Sequence, residues 1–98
     1  MKISKNLEGS RLTIALSGRL DTMTAPELEK VINENIAGVE TLVLDLKELE
    51  YMSSAGLRVL LSAEKKMRAV GKMTVKNVND MIMEIFEVTG FSDILTIE

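Results

Sequence analysis

The sequence contains no cysteine and no histidine. Without thiols there is no disulfide bond and no cysteine nucleophile, and without imidazole a serine–histidine–aspartate triad and the usual zinc sites are excluded. Tryptophan is also absent, and one tyrosine and two phenylalanines are the aromatic residues. The core therefore has to be built from aliphatic side chains and methionine.

Neither a strong charge imbalance nor a long apolar run is present. The chain has 12 basic and 15 acidic residues, a net charge of −3, and nucleic-acid binding would need a clustered positive surface. No apolar run approaches the ~18 residues of a membrane span, and the first residues lack the apolar core of a signal peptide. We expect a cytoplasmic protein that binds no nucleic acid and does not insert into membranes.

Glycine-rich nucleotide-binding loops of the Walker or dinucleotide type are missing as well. A lysine could still activate Ser53 or Ser54 as a nucleophile, but Lys47, Lys65 and Lys66 are all predicted to face solvent.

A second catalytic possibility is a carboxylate pair. Asp21 and Asp45 could together bind a divalent cation or perform acid–base chemistry. Two acids on separate segments are weak evidence for a site. We predict a protein that is not an enzyme and needs no cofactor or metal.

The 98 residues suit one domain, residues 1–98. Hydrophobic periodicity predicts the order β-β-α-β-α-β-α-β. Strands are expected over 2–7, 10–17, 41–46, 72–76 and 94–97, and helices after Thr24, over 54–70 and after Asn79, with a loop over 18–23. The fold class is therefore α/β, with three helices, right-handed crossovers and a mixed sheet of about four to five strands. The apolar run 41–46 predicts a central strand covered on both faces.

Helix ends are marked by capping residues. Thr24 with Glu27 three positions later matches a capping box, and Pro26 suits a first helical turn. Asn79 is expected to cap the third helix, and Gly90 to end it.

One segment, Tyr51–Leu57, is distinctive. It follows the central strand and leads into the second helix, where Ala55 and Gly56 allow close approach of the backbone. Free N–H groups at such a helix start favour an anion. A simpler interpretation is that one serine is an ordinary N-cap and that Gly56 serves packing.

This segment resembles the signature of STAS-domain anti-sigma factor antagonists. In that family an Asp-Ser-Ser/Thr-Gly-Leu element opens the helix after the central strand, and its first serine is phosphorylated by a partner kinase. Three further matches follow the family's order: Leu16–Asp21 with Thr24-Ala25, Val43–Leu46, and Val88–Phe91. Together they cover most of the chain and imply a STAS-like fold.

The resemblance implies a switchable binding protein. Unmodified, it binds an anti-sigma factor that is also a serine kinase. Phosphorylation of Ser54 ends the binding, and a serine phosphatase restores it. Ser53 stands where the family often has Asp and is an alternative acceptor. The residues expected to contact the partner are Asp21, Thr22, Met23, Met52, Ser53, Ser54, Ala55, Gly56 and Arg58, and we expect a monomer.

Alternatives stay open at this stage. The chain could be a STAS-type scaffold without phosphorylation, or a small-ligand-binding subunit of a larger assembly such as a lipid transporter. On the second helix, Leu57, Leu60, Leu61 and Met67 are expected in the core. The basic residues Arg58, Lys65, Lys66 and Arg68 form either a solvated face, with a Glu64–Arg68 pair, or a basic surface for an acidic partner.

The chain ends at Glu98, after the last predicted strand. We therefore expect the family's usual C-terminal helix to be absent or very short, and one face of the sheet to be less covered.

Overall fold

A computed structural model describes all 98 residues and confirms the predicted α/β class. Four strands and three helices follow one another as β1 (Lys2–Glu8), β2 (Arg11–Leu20), α1 (Ala25–Asn35), β3 (Thr41–Met52), α2 (Ser54–Arg68), β4 (Lys72–Lys76) and α3 (Asp80–Thr89), with a 3₁₀ turn at Phe91–Asp93. None of the helices has the length and apolar character needed to span a bilayer.

The sheet is mixed and its strands lie in chain order, β1-β2-β3-β4. β1 pairs antiparallel with β2, whereas β2, β3 and β4 are parallel. The crossovers through α1 and α2 both step in the same direction across the sheet. Because such crossovers are right-handed, α1 and α2 lie on the same face.

The core confirms this one-sided arrangement. A single cluster of 23 buried apolar residues joins the inward side chains of the strands to all three helices. Val43 points to the other face, is 2% exposed, and is the one buried apolar side chain outside the cluster. That face has polar neighbours such as Thr13, Asp45 and Thr74. Leu42, Val43 and Leu44 are all buried, so this part of the central strand is covered on both faces as predicted, although a strand order without reversal leaves the second face without a helix.

The central strand is twice as long as predicted. β3 runs through Met52 rather than ending at Leu46, and β2 continues through Leu20, so the predicted loop over 18–23 is shorter. Two register shifts between these strands each add a residue to β3. They turn Leu46, Leu49 and Met52 inward at a spacing of three, which is a helix-like spacing in the sequence.

At the C-terminus, the strand predicted over 94–97 is reduced to one bridge. Ile97 pairs with Val75, whose N–H donates to the Thr96 carbonyl over 2.8 Å. The N–H groups of Ile94 and Leu95 both donate to the Phe91 carbonyl, which keeps these two residues in the turn that follows Phe91–Asp93 and out of a strand, and Leu95 is buried.

α2 buries a charge that the sequence places on its solvated side. Glu64 is only 4% exposed and lies 3.5 Å from Arg68. Arg68 also donates to the carbonyl of Ile94 over 3.1 Å, so the pair ties α2 to the C-terminal segment. Leu61, expected in the core, is half-buried.

The ends of α3 agree with prediction. Asn79 Oδ1 accepts the N–H of Ile82 at 2.9 Å, and its Nδ2 donates to the Leu49 carbonyl at 2.9 Å. Gly90 has φ +81° and ends the helix in the left-handed conformation.

Candidate functional site

Two loops meet at the carboxyl ends of β2 and β3. Leu20 pairs in register with Met52, and the N–H of Ser53 donates to the Leu20 carbonyl over 2.9 Å. The residues that follow these strands, beginning with Asp21 and Ser53, therefore lie side by side. The site combines the start of α2 with the turn before α1.

Gly56 allows the start of α2 to sit directly on the ends of the strands. A Cβ atom at this position would lie 2.7 Å from Leu20 Cγ and 3.1 Å from Met52 Cγ. Both leucine and methionine are fully buried, so neither can move away freely. A larger residue would push the first turn of α2 outward.

The two serines occupy different environments. Ser54 is the first residue of α2 and its side chain is exposed. Ser53 is the N-cap, but its Oγ is buried without any hydrogen-bond partner and does not cap the helix. The first-turn N–H groups of α2 therefore have no side-chain acceptor, and they are available to an anion carried by Ser54.

Asp21 stabilises the turn before α1, and Thr24 does not act as the N-cap that was predicted. Thr24 makes no side-chain capping bond to α1. Instead Asp21 Oδ1 accepts the N–H groups of Met23 (3.0 Å) and Thr24 (3.2 Å), while Thr24 Oγ1 accepts the Asp21 N–H at 2.8 Å. This is a reciprocal box placed one turn earlier than predicted, and Glu27 takes no part in it.

An aromatic–cation pair beside this turn was missed by sequence reasoning. Arg19 and Tyr51 are partners in the β2–β3 register, and the guanidinium carbon lies 4.3 Å from the ring centroid. Arg19 Nε is also 3.8 Å from Asp21 Oδ2. The sequence offered one signal for this contact. Arg19 and Tyr51 each precede a residue that faces the core, so both side chains are expected on the opposite face of the sheet.

The charge of Asp21 is stabilised by its neighbours. Burial alone would raise the pKa of this carboxyl group. The N–H groups of Thr24 and Met23, the Thr24 hydroxyl and the nearby Arg19 outweigh that effect and hold the pKa below its usual range. Asp21 is therefore a fixed negative charge next to the serine segment at physiological pH.

This lowered pKa predicts an acid-dependent contribution to stability. An Asp21→Asn variant keeps the side-chain shape but not the charge. Because the pKa is lower in the folded chain, ionised Asp21 stabilises the fold above the ordinary carboxyl value of about 3.9, and the effect disappears as the pH falls through the native-state pKa. We expect the variant to melt below the wild type at pH 7, and the two midpoints to converge under acid. Circular dichroism melts across this pH range provide the measurement, and a difference independent of pH would contradict the expectation.

The residues predicted to contact the partner differ in how deeply they are buried. Thr22, Met23, Ser54 and Arg58 are exposed, Met23 to 86%, whereas Asp21, Ser53 and Ala55 are half-buried. Met52 is 2% exposed and Gly56 is buried. Direct contact by Met52 and Gly56 was therefore a wrong expectation, because the inward end of β3 and the close packing of α2 place both beneath the surface.

The structure does not bring together the groups that either catalytic alternative needs. Asp45 pairs with Ala15, roughly 20 Å along β2 from Asp21, so the two carboxylates do not act together. Asp45 instead accepts from Asn77 Nδ2 and the Lys47 N–H, each at 3.0 Å.

The lysines are not placed to activate Ser53 or Ser54 as a nucleophile. Lys65 and Lys66 are exposed on the second half of α2, roughly 16 Å along the helix from Ser54, and Lys47 is exposed on β3. No group of three or more acidic side chains is placed to hold a metal ion.

Comparison with known proteins finds relatives that match nearly the whole chain. The family model for the STAS domain matches residues 2–98. The anti-sigma-B factor antagonist of Listeria monocytogenes is 33% identical over 97 residues, covering 96% of this chain and 84% of that protein.

Solved structures share the fold. An anti-sigma factor antagonist from Mycobacterium paratuberculosis superposes with a TM-score of 0.89 at 24% identity, covering 98% of this chain and 83% of its own. SpoIIAA, a Bacillus cell fate determinant solved in its phosphorylated form, gives 0.78 at 20% identity, covering 99% and 91%. A structure of the anti-sigma factor antagonist SpoIIAA in its unphosphorylated form gives a TM-score of 0.79 at 19% identity, covering 99% and 87%. The chain belongs to the STAS domain family.

Proposed function

We propose that this protein is an anti-sigma factor antagonist that acts by binding and not by catalysis. The observation that carries the proposal is the placement of Ser54, exposed at the first position of α2 beside the Asp21 turn. The Listeria relative, at 33% identity, bears that name. In this proposal, the unmodified protein binds an anti-sigma factor that is also a serine kinase and thereby releases the sigma factor. Because such a kinase uses ATP, we place the cycle in the cytoplasm.

The switch would be a phosphate on Ser54. Phosphorylation adds about 1.5–2 negative charges at one point. The uncapped N–H groups of α2 hold that charge without refolding the domain. SpoIIAA, which shares this fold, exists in unphosphorylated and phosphorylated forms.

Ser54 is a better acceptor than Ser53. A kinase has to bring ATP to the hydroxyl, and the Ser53 Oγ is buried while Ser54 is exposed. The half-buried Ser53 contributes the carbonyl that accepts the first helical N–H, from Leu57, at 3.1 Å. Its role is to begin the helix that presents Ser54.

Exclusion of the partner would follow from electrostatics alone. A partner surface shaped for Thr22, Met23 and an unmodified Ser54 would bury the new dianion without a counter-charge. The fixed charge of Asp21 adds to the same negative region. Burying an unpaired charge at an interface costs several kcal/mol. A serine phosphatase would restore binding by removing it.

The proposed function is tested with a preformed complex of the anti-sigma factor and its sigma factor from the same organism. Adding the unmodified protein is expected to free the sigma factor, seen as a separate peak in size-exclusion chromatography. A Met23→Asp variant, which places a charge on the exposed side chain of the first loop, is expected to release less. An unchanged complex at high antagonist concentration would refute the function and favour a STAS scaffold or ligand-binding subunit.

A further inference from the structure

α3 carries more apolar surface than the core uses. Six of its ten residues are apolar, yet only Ile82 and Phe86 are buried. Met81 is 49% exposed, Val88 is 81% exposed, and Ile85 is half-buried. A helix that is apolar on most sides is normally covered on most sides.

These three exposed or half-buried residues lie on one line. At about 100° per residue, Met81, Ile85 and Val88 fall within a band roughly 60° wide along the helix. They define the α3 stripe. Ile82 and Phe86, which enter the core, are turned to one side of it. Ile85 packs against the core cluster, so the stripe continues the buried face outward, with Met81 and Val88 exposed beyond it.

The other side of the stripe is acidic. Asp80, Glu84 and Glu87 all fall on the flank away from Ile82 and Phe86, and α3 contains no basic residue. A second copy of α3 would bring like charges together, and an anionic lipid surface would be repelled. The charge pattern fits a partner that is apolar where it meets the stripe and positive along one side.

We propose that the α3 stripe binds an amphipathic helix of another protein, with one apolar face flanked by lysine or arginine. Packing of helix against groove uses apolar residues at intervals of three and four, the spacing that Met81, Ile85 and Val88 present. The flexible side chain of Met81 adapts to such a surface. The stripe shares no residue with the serine segment, so it provides a second contact independent of phosphorylation.

The test uses two synthetic peptides and the whole protein labelled with ¹⁵N. One peptide is a helix of about 15 residues with leucine on one face and lysine on the other, and the second has glutamate in place of lysine. The lysine peptide is expected to shift amide resonances of residues 80–89, and the glutamate peptide to leave them unchanged. A Met81→Gln/Val88→Gln variant is expected to bind the lysine peptide about tenfold more weakly.

The matched control is Leu7→Gln, which removes an exposed apolar side chain from β1 and should bind like the wild type. Equal binding of both peptides, resonance shifts centred on α2, or unchanged affinity in the α3 variant would each overturn the proposal. Sedimentation showing a dimer that the α3 variant abolishes would assign the stripe to a second copy and overturn it as well.

Discussion

A Ser54→Asp variant is expected to bind the anti-sigma factor about a hundredfold more weakly than the wild type. The carboxylate places a permanent charge at the exposed first position of α2. Leaving that charge unpaired in an interface costs about 3 kcal/mol, which corresponds to about a hundredfold in affinity. Isothermal titration calorimetry with the purified anti-sigma factor measures the effect.

The fold itself should tolerate this change. An acidic residue at a helix start interacts favourably with the helix dipole, so the melting temperature of the variant should be equal to or slightly above that of the wild type. Ser54→Asn is the matched control, because asparagine has nearly the same size as aspartate and carries no charge. Equal weakening by both substitutions would show that shape and not charge controls binding.

A Gly71→Ala variant is expected to lose about 3 kcal/mol of unfolding free energy. A Cβ atom at Gly71 would overlap the Glu40 carbonyl oxygen and lie 2.7 Å from the carbonyl carbon. Neither backbone can yield, because the Gly71 N–H donates to Met67 over 2.7 Å and the Lys72 N–H donates to Glu40 over 3.0 Å. For a domain of this size the midpoint should fall by roughly 12–24 °C.

Gly90→Ala provides the comparison for this prediction. Gly90 has φ +81° and open space around the missing Cβ, so alanine there meets only the conformational penalty of about 1 kcal/mol. Thermal melts of both variants separate steric overlap from backbone strain. Similar losses in the two would contradict the close contact described for Gly71.

The parts of the fold that sequence could predict are those that follow one simple period. Leu12, Ile14 and Leu16 alternate as an ordinary strand does, and their inward placement was expected and is observed. Asn79 and Gly90 cap α3 by local chemistry that needs no tertiary partner.

Other parts depend on tertiary contacts that leave no local pattern. The spacing of Leu46, Leu49 and Met52 looks helical, and only the two shifts against β2 make it a strand. Thr24 is a residue type that is typical of N-caps. In the structure its hydroxyl accepts the N–H of Asp21 instead, so the capping box forms one turn earlier than predicted. Local propensity cannot decide between two overlapping caps.

The candidate site divides in the same way. The position of the serine segment between β3 and α2 followed from sequence, whereas the depth of each residue did not. Ser53 and Ser54 are chemically identical, and only the packing of α2 on Leu20 buries the hydroxyl of one and exposes that of the other. The Arg19–Tyr51 contact arises from strand register, which the sequence does not display.

The most direct measurement is to locate the phosphate by mass spectrometry after incubating the protein with its anti-sigma kinase and ATP. One phosphate per chain is expected, on Ser54, with Ser53→Ala labelled like the wild type and Ser54→Ala unlabelled. Phosphate found on Ser53, or no labelling of a protein that binds the kinase, would contradict the claim that the exposed hydroxyl at the start of α2 is the switch.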